Sequence, residues 1–313
     1  MKRYIAILFS LILIFNSTLI VADIKERELP LSFNFLDASD GDKWGDCTLI
    51  SFPNGENMLI DTGIEDVADN VISILKEKGV KRIDYFVLSH LHADHYGGMK
   101  KIIEIFPVER VYSNYYAPPE QRWIGEYLLN IGIQYQRLTS GDSIVVDEVI
   151  IDVLWSRAKD VEVSPEQSHN IDSVVLDVNN RSLVMRFFYA GKKALFTGDI
   201  YKSAEKDLLS FVGAQALKAD LLKIMHHGHS TSGDAEFLDA VNPQYAVMMG
   251  NIVMTLPVYK RYVERECWPY ATWMNGTITI DFYKDRIEKS ASKSLKINDF
   301  YRKLEIKYPG PEN

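Results

Sequence analysis

Cysteine is scarce: the 313 residues contain only Cys47 and Cys267. Two cysteines are too few for a disulfide scaffold, and these lie too far apart for a zinc knuckle. One bridge between them and two free thiols both satisfy the sequence. Positive charge is in deficit as well, with 35 basic against 43 acidic side chains and a formal charge of −8. No global positive field therefore draws in a polyanion. There is no Gly-x-Ser-x-Gly elbow, no P-loop and no glycine-rich dinucleotide fingerprint, so the usual marks of serine hydrolases, NTPases and dinucleotide enzymes are missing. With 47% hydrophobic and 25% charged residues, the composition is that of a globular protein and excludes disorder, collagen and coiled coil.

Long apolar runs are absent except at the start. Lys2 and Arg3 precede an apolar stretch from Tyr4 to Ala22, after which Asp23, Lys25, Glu26 and Arg27 return the chain to water. This order reads as a secretory signal, and the run is also just long enough for an uncleaved membrane anchor. Either way the chain after Ala22 is expected outside the cytoplasm, periplasmic or secreted.

From Phe33 to about Tyr283, apolar strands alternate with amphipathic helices without a long linker. Pro53-Asn54-Gly55 between two apolar runs signals a hairpin. Val67, Val71, Ile74 and Leu75 have helical spacing. Strands are expected at Ser143–Trp155, Val174–Val178, Leu183–Phe188, Lys193–Phe196, Leu221–Met225 and Tyr245–Met249, and Asp234 can cap a helix whose buried face holds Phe237, Leu238 and Val241. The pattern divides the chain into residues 1–22, a 23–285 domain of sheets covered by helices, and a charged 286–313 tail or peripheral element.

The seven histidines fall in three places: His90, His92 and His95; His169; and His226, His227 and His229. Three stand within six residues, His90-Leu91-His92-Ala93-Asp94-His95, directly after the strand Tyr85–Leu88. Imidazoles and a carboxylate on a tight turn can converge on divalent ions, and the mixed nitrogen and oxygen set suits zinc or a similar transition metal.

The His-x-His-x-Asp-His run followed by Tyr96-Gly97-Gly98 resembles the metal motif of the metallo-β-lactamase superfamily. Leu59-Ile60-Asp61-Thr62-Gly63, Phe196-Thr197-Gly198-Asp199, Leu222-Lys223-Ile224-Met225-His226-His227-Gly228 and Asn275-Gly276-Thr277-Ile278-Thr279 resemble one branch of it, the hydrolase domain of the competence protein ComEC. The resemblance covers about Phe33 to Tyr283 and implies an α/β four-layer αββα sandwich with two divalent ions, zinc first and manganese as the alternative. His90 and His92 would hold the first ion, Asp94 and His95 the second, and Asp199 would bridge both. Asp199 could instead be the N-cap of the following helix. One of the pair His226 and His227 would complete the second site, with His227 favoured as ligand and His226 as a group facing the substrate. His169 is the candidate third ligand of the first ion, and Asp61 a carboxylate that orients a ligand. The chain departs from the branch around Trp44, which reads as an insertion before Gly45-Asp46, and at Leu256-Pro257, where relatives carry a His-Pro.

Two ions close together lower the pKa of a bridging water and stabilise charge on attacking and leaving oxygens. The expected reaction is attack of a metal-bound hydroxide on a small or short phosphodiester, with Asp94 and His226 in catalytic roles. Carboxylic esters, lactones or β-lactams are the alternative substrates, and a non-catalytic binding or assembly protein the alternative from another class. The acidic balance argues against tight binding of long nucleic acid, and no feature indicates a stable protein partner. Aromatic residues Tyr112, Tyr115, Tyr116, Trp123, Trp268, Tyr270 and Trp273 are either core or a wall for a quaternary ammonium.

Overall fold

The computed structural model describes residues 29–114, 116–156, 177–250 and 256–293. The chain first lays down β1 (Leu31–Phe35), β2 (Thr48–Ser51), β3 (Asn57–Ile60), β4 (Ile83–Leu88), β5 (Val108–Ser113) and β6 (Gln134–Arg137). It then builds a second sheet from β7 (Ser143–Val146), β8 (Val149–Trp155), β9 (Val184–Tyr189), β10 (Lys192–Phe196), β11 (Leu221–Lys223), β12 (Tyr245–Met248) and β13 (Trp268–Ala271). Last, β14 (Ile278–Phe282) and β15 (Ile287–Ala291) return to the first sheet, whose order is β15-β14-β1-β2-β3-β4-β5-β6. The second sheet runs β13-β12-β11-β10-β9-β8-β7. In each sheet an antiparallel portion leads into a parallel set, β3 to β6 in one and β10 to β13 in the other.

Successive strand residues point to opposite faces, and here each face meets its own layer. In β4, Val87 joins the core between the sheets while Phe86 and Leu88 face the helices outside. In β10, Ala194 and Phe196 point inward and Leu195 outward. The first sheet is covered by α1 (Ala68–Glu77), α2 (Met99–Ile105) and α3 (Trp123–Asn130), and the second by α4 (Lys202–Val212), α5 (Ala235–Val241) and α6 (Leu256–Val263). The result is the four-layer αββα sandwich. Asp234 caps α5 by accepting from Glu236 N at 3.2 Å, and Phe237, Leu238 and Val241 are all buried. Phe33 sits at the centre between the sheets, 5.1 Å from the Phe282 ring and 5.5 Å from Phe187.

Several local expectations change. Ser143–Trp155 is a hairpin, β7 and β8, because Asp147 adopts a positive φ of 51° and reverses the chain. Residues 177 and 178, read as the end of a strand, open a helical turn over 177–180, held by an i,i+4 ion pair from Arg181 to Asp177 at 2.8 Å; residues 174–176 lie outside the described set. The strand from Leu221 stops at Lys223. Cys47 and Cys267 are both buried and free, one beneath the helices of the first sheet and the other beneath those of the second. Residues 287–291, read as tail or peripheral element, form the edge strand β15.

Replacing Phe33 by alanine should cost about 3–5 kcal/mol, because it opens a cavity in the core that both sheets share. Urea unfolding would measure it, and a loss below about 1 kcal/mol would contradict this packing.

Candidate metal centre

Chemistry gathers where the parallel strands end. Asp61 follows β3, His90 to His95 follow β4, Asp199 follows β10 and His226 and His227 follow β11. Ligand sites of α/β sheets lie outside such carboxyl ends. Four donors converge there: Asp94, His95, Asp199 and His227 each bring one ligand atom, all within 4.8 Å of one another. Asp199 Oδ2 is 3.2 Å from His95 Nε2 and 3.0 Å from His227 Nε2, and Asp94 Oδ2 is 3.2 Å from His227 Nε2. His90 stands beside them, its ring 4.0 Å from that of His95, and its Nε2 is 3.2 Å from His92 Nδ1. The residues expected at both ions are thus brought to one place, except His169, which lies outside the described residues.

The far nitrogens of the two central imidazoles are already engaged. His95 Nδ1 is 2.8 Å from Asp61 Oδ2, and Asp61 also accepts from the Ser89 amide at 2.8 Å and its hydroxyl at 2.7 Å. His227 Nδ1 is 3.0 Å from Asp46 Oδ1 and 3.2 Å from the Met249 carbonyl oxygen. Such partners fix an imidazole's tautomer and orientation, and here they leave both Nε2 atoms facing the shared Asp199 oxygen. Two imidazole nitrogens and two carboxylate oxygens are a fitting donor set for a zinc-type ion, and the His90–His92 pair offers two more nitrogens. These residues could hold the two divalent ions.

Asp199 is not a helix cap. Its side chain faces the imidazoles, and α4 begins at Lys202 after Tyr201 with no side-chain cap. Of the two adjacent histidines, His227 is the one whose Nε2 enters the cluster. His226 is half-buried, its Nδ1 2.7 Å from Thr231 Oγ1 and its ring stacked on Tyr201 at 4.7 Å. The backbone makes this division: His226 and His227 both have positive φ, 43° and 52°. Consecutive non-glycine residues in that region are strained, and the turn they make gives the two imidazoles different partners.

The contiguous motifs exist because three loops are woven together through their backbones. Asp46 N donates to Asp94 O at 3.0 Å, Gly63 N to Asp46 O at 2.8 Å, and Thr62 N to His95 O at 2.7 Å. A Cβ on Gly45 would collide with the Asp94 carbonyl and the Gly63 Cα, and one on Gly97 with the Glu65 amide and the Ala93 carbonyl. Glycine at these two positions is a condition of the approach.

Charge in the site is balanced by the histidines and one lysine. Burial opposes a charge on His95, yet Asp199, Asp94 and Asp61 hold its pKa well above the ordinary 6.5. Burial likewise opposes His227, and Asp199 and Asp46 raise it well above that value. Burial would lift Asp199, but His227, His95 and Lys223 keep it well below the carboxylate range. Burial would also lift Asp46, which Lys223 and His227 bring down to about 2. Burial pushes His90 well below 6.5, and His95 adds to the effect. Burial first, then the neighbouring His227, holds His226 down at about 4 against the pull of Asp199.

Sequence reasoning missed Lys223 as a site residue. It is 3% exposed and pairs with Asp46 and with Asp199 Oδ1, the latter at 3.2 Å. A single charged residue inside the apolar run Leu221-Leu222-Lys223-Ile224-Met225 was its signal. The aromatic residues are mostly core. Tyr112 and Tyr270 are buried between the sheets, and Trp123, Trp268 and Trp273 pack on the outer cores; Tyr115 lies outside the described residues. Trp44 instead leans on the site, its ring 4.3 Å from that of His227. Asn275 is a turn former: its Oδ1 accepts from Ala271 N at 3.0 Å.

The fold and this cluster define a metallo-β-lactamase-type centre, and the profile of the Metallo-beta-lactamase superfamily matches residues 45–250. The chain belongs to that superfamily. Within it the similarity is to the ComEC-type branch. Competence protein ComA of Neisseria gonorrhoeae is 30% identical over 61% of this chain and 23% of its own length. Recombination protein 2 of Haemophilus influenzae is 24% identical over 80% of this chain and 29% of its own. The chain thus spans less than a third of these relatives. Among solved structures, the metallo-β-lactamase fold protein YhfI of Bacillus subtilis superposes with a TM-score of 0.52 at 11% identity, covering 77% of this chain and 96% of that one, a likeness of fold.

Metal-free protein should show a bounded pH range of stability. His95 and His227, raised above 6.5, contribute fully below that value and lose the contribution as pH rises through their folded values. Asp199 and Asp46, lowered from 3.8, contribute above that value and lose it as pH falls. These four groups therefore favour the metal-free fold most between about pH 4 and 6.5, opposed on the acid side by His90 and His226, which burial keeps neutral. Thermal melts of chelated and zinc-loaded protein across pH should show an alkaline decline only in the first. A metal-free Tm rising steadily above about pH 6.5 would contradict the assignment.

Proposed function

We propose that the protein is a metal-dependent hydrolase of small or short phosphodiesters. The observation that carries this reading is the shared oxygen: Asp199 Oδ2 meets the Nε2 atoms of both His95 and His227, with Asp94 alongside and the His90–His92 pair adjacent. When bound there, two divalent ions would lower the pKa of a water and stabilise charge on attacking and leaving oxygens. No side-chain nucleophile is then needed. Asp61 and Asp46 hold the imidazoles in one tautomer. His226, neutral at pH 7 and fixed through Nδ1 by Thr231, is a rigid polar group beside the donors. In this reading it assists the leaving oxygen.

The names of the relatives, competence and recombination, favour phosphodiester chemistry. A short substrate suits the charge of −8, since long polyanions need a positive surface. Near the site the cations Lys223 and Arg181 are both buried and paired with carboxylates. The apolar run of residues 4–22 supports export from the cytoplasm. Among the described residues, no helix is long and apolar enough to cross a membrane.

The test is hydrolysis of a bis-aryl phosphate diester by zinc- or manganese-loaded protein. Asp199→Asn and His95→Ala should lose metal and turnover together. His226→Ala should keep its metal and lose about 10²-fold or more in kcat. Full turnover by demetallated protein would refute the mechanism, and rapid turnover of esters or lactams alone would move the reading to those bonds.

A further inference from the structure

Lys223 closes a ring of charge beneath the candidate metal centre. Its Nζ pairs with Asp46, lies 3.2 Å from Asp199 Oδ1 and donates to the Gly198 carbonyl at 3.1 Å. Asp46 Oδ1 is 3.0 Å from His227 Nδ1, and His227 Nε2 is 3.0 Å from Asp199 Oδ2. All four residues are 3% exposed or less. A buried ammonium costs several kcal/mol unless fully partnered, and an apolar side chain in this strand would avoid that cost. The lysine commits particular atoms instead. It occupies Oδ1 of Asp199, so that Oδ2 alone is offered to the imidazoles. It also holds one oxygen of Asp46, which turns the other to His227 Nδ1 and leaves Nε2 free to ligate.

We propose that Lys223 is a positioning residue of the metal centre, acting through Asp199 and Asp46 to preset which oxygen and which imidazole nitrogen face the ions. The inference rests on the metal-centre reading above. It makes two statements that a purely structural lysine would not satisfy. Loss of the ammonium should weaken ion binding, although removing a positive charge would by electrostatics alone strengthen it. Breaking the ring at Asp46 should have the same effect as breaking it at Lys223.

The experiment compares wild type, Lys223→Met, Lys223→Arg and Asp46→Asn in the full chain, by zinc titration against a chromophoric chelator and by the visible spectrum of the cobalt(II)-substituted protein. Wild type should bind two ions. Lys223→Met and Asp46→Asn should bind at least one of them about 10–100-fold more weakly, the usual effect of losing an outer partner. Their cobalt spectra should change, and Lys223→Arg should recover much of the affinity. Folded Lys223→Met with wild-type affinity and spectrum, or with tighter binding, would overturn the proposal. If Lys223→Met does not fold, Asp46→Asn decides by the same two measurements. Wild-type protein that binds no divalent ion would instead overturn the metal-centre reading itself, a result distinct from failure of the lysine alone.

Discussion

Four carboxylates, Asp46, Asp61, Asp94 and Asp199, meet at one end of the sandwich, and three of them are 3% exposed or less. Ionised groups so far from water are tolerated only with positive charge between them. Lys223 supplies a permanent part of it, and His95 and His227 supply the rest by holding protons in the absence of ions. A divalent ion held by these nitrogens would displace those protons, so occupancy and acidity would compete for the same sites. Much of the surrounding structure serves to keep this concentration of charge in place: the glycine-mediated crossing of loops, the strained pair at His226 and His227, and the early end of β11.

The protein also separates its global charge from its local charge. A net charge of −8 gives a negative far field, but that field is screened within about 8 Å at physiological salt. A small anion that reached the donors would sense mainly the imidazoles and Lys223 there.

Much of this could be read from residue order. Sheets covered by helices followed from alternating apolar periods, the four-layer sandwich only from the resemblance its motifs carry, and the histidine run stood out because its members are neighbours in the chain. Local features misled where tertiary partners outweighed them. The apolar stretch entering Asp177 and Val178 looks like a strand, but the Arg181–Asp177 pair and the bonds from Asn179 to Tyr201 and Asn180 to Ser203 select a helical turn. Pro269 hid β13, since proline argues against a strand. It is admitted because β13 is the edge of its sheet and needs fewer ladder donors. Lys223 stands within a motif, but residue order hides its partners, Asp46 and Asp199, which lie far away in the chain.

Asp94 and His95 are carried by the first sheet's loops, Asp199 and His227 by the second's. An ion held by all four would add a cross-link between two halves that meet through an apolar core and through the pairs of Asp46 with Lys223 and His227. Such a link strengthens with the free ion concentration, reaching about 2.7 kcal/mol when that concentration is a hundred times the dissociation constant. With an ion so held, resistance to proteases and to unfolding would be set partly by the trace metal in the surroundings, and a chelating environment would shorten the protein's lifetime.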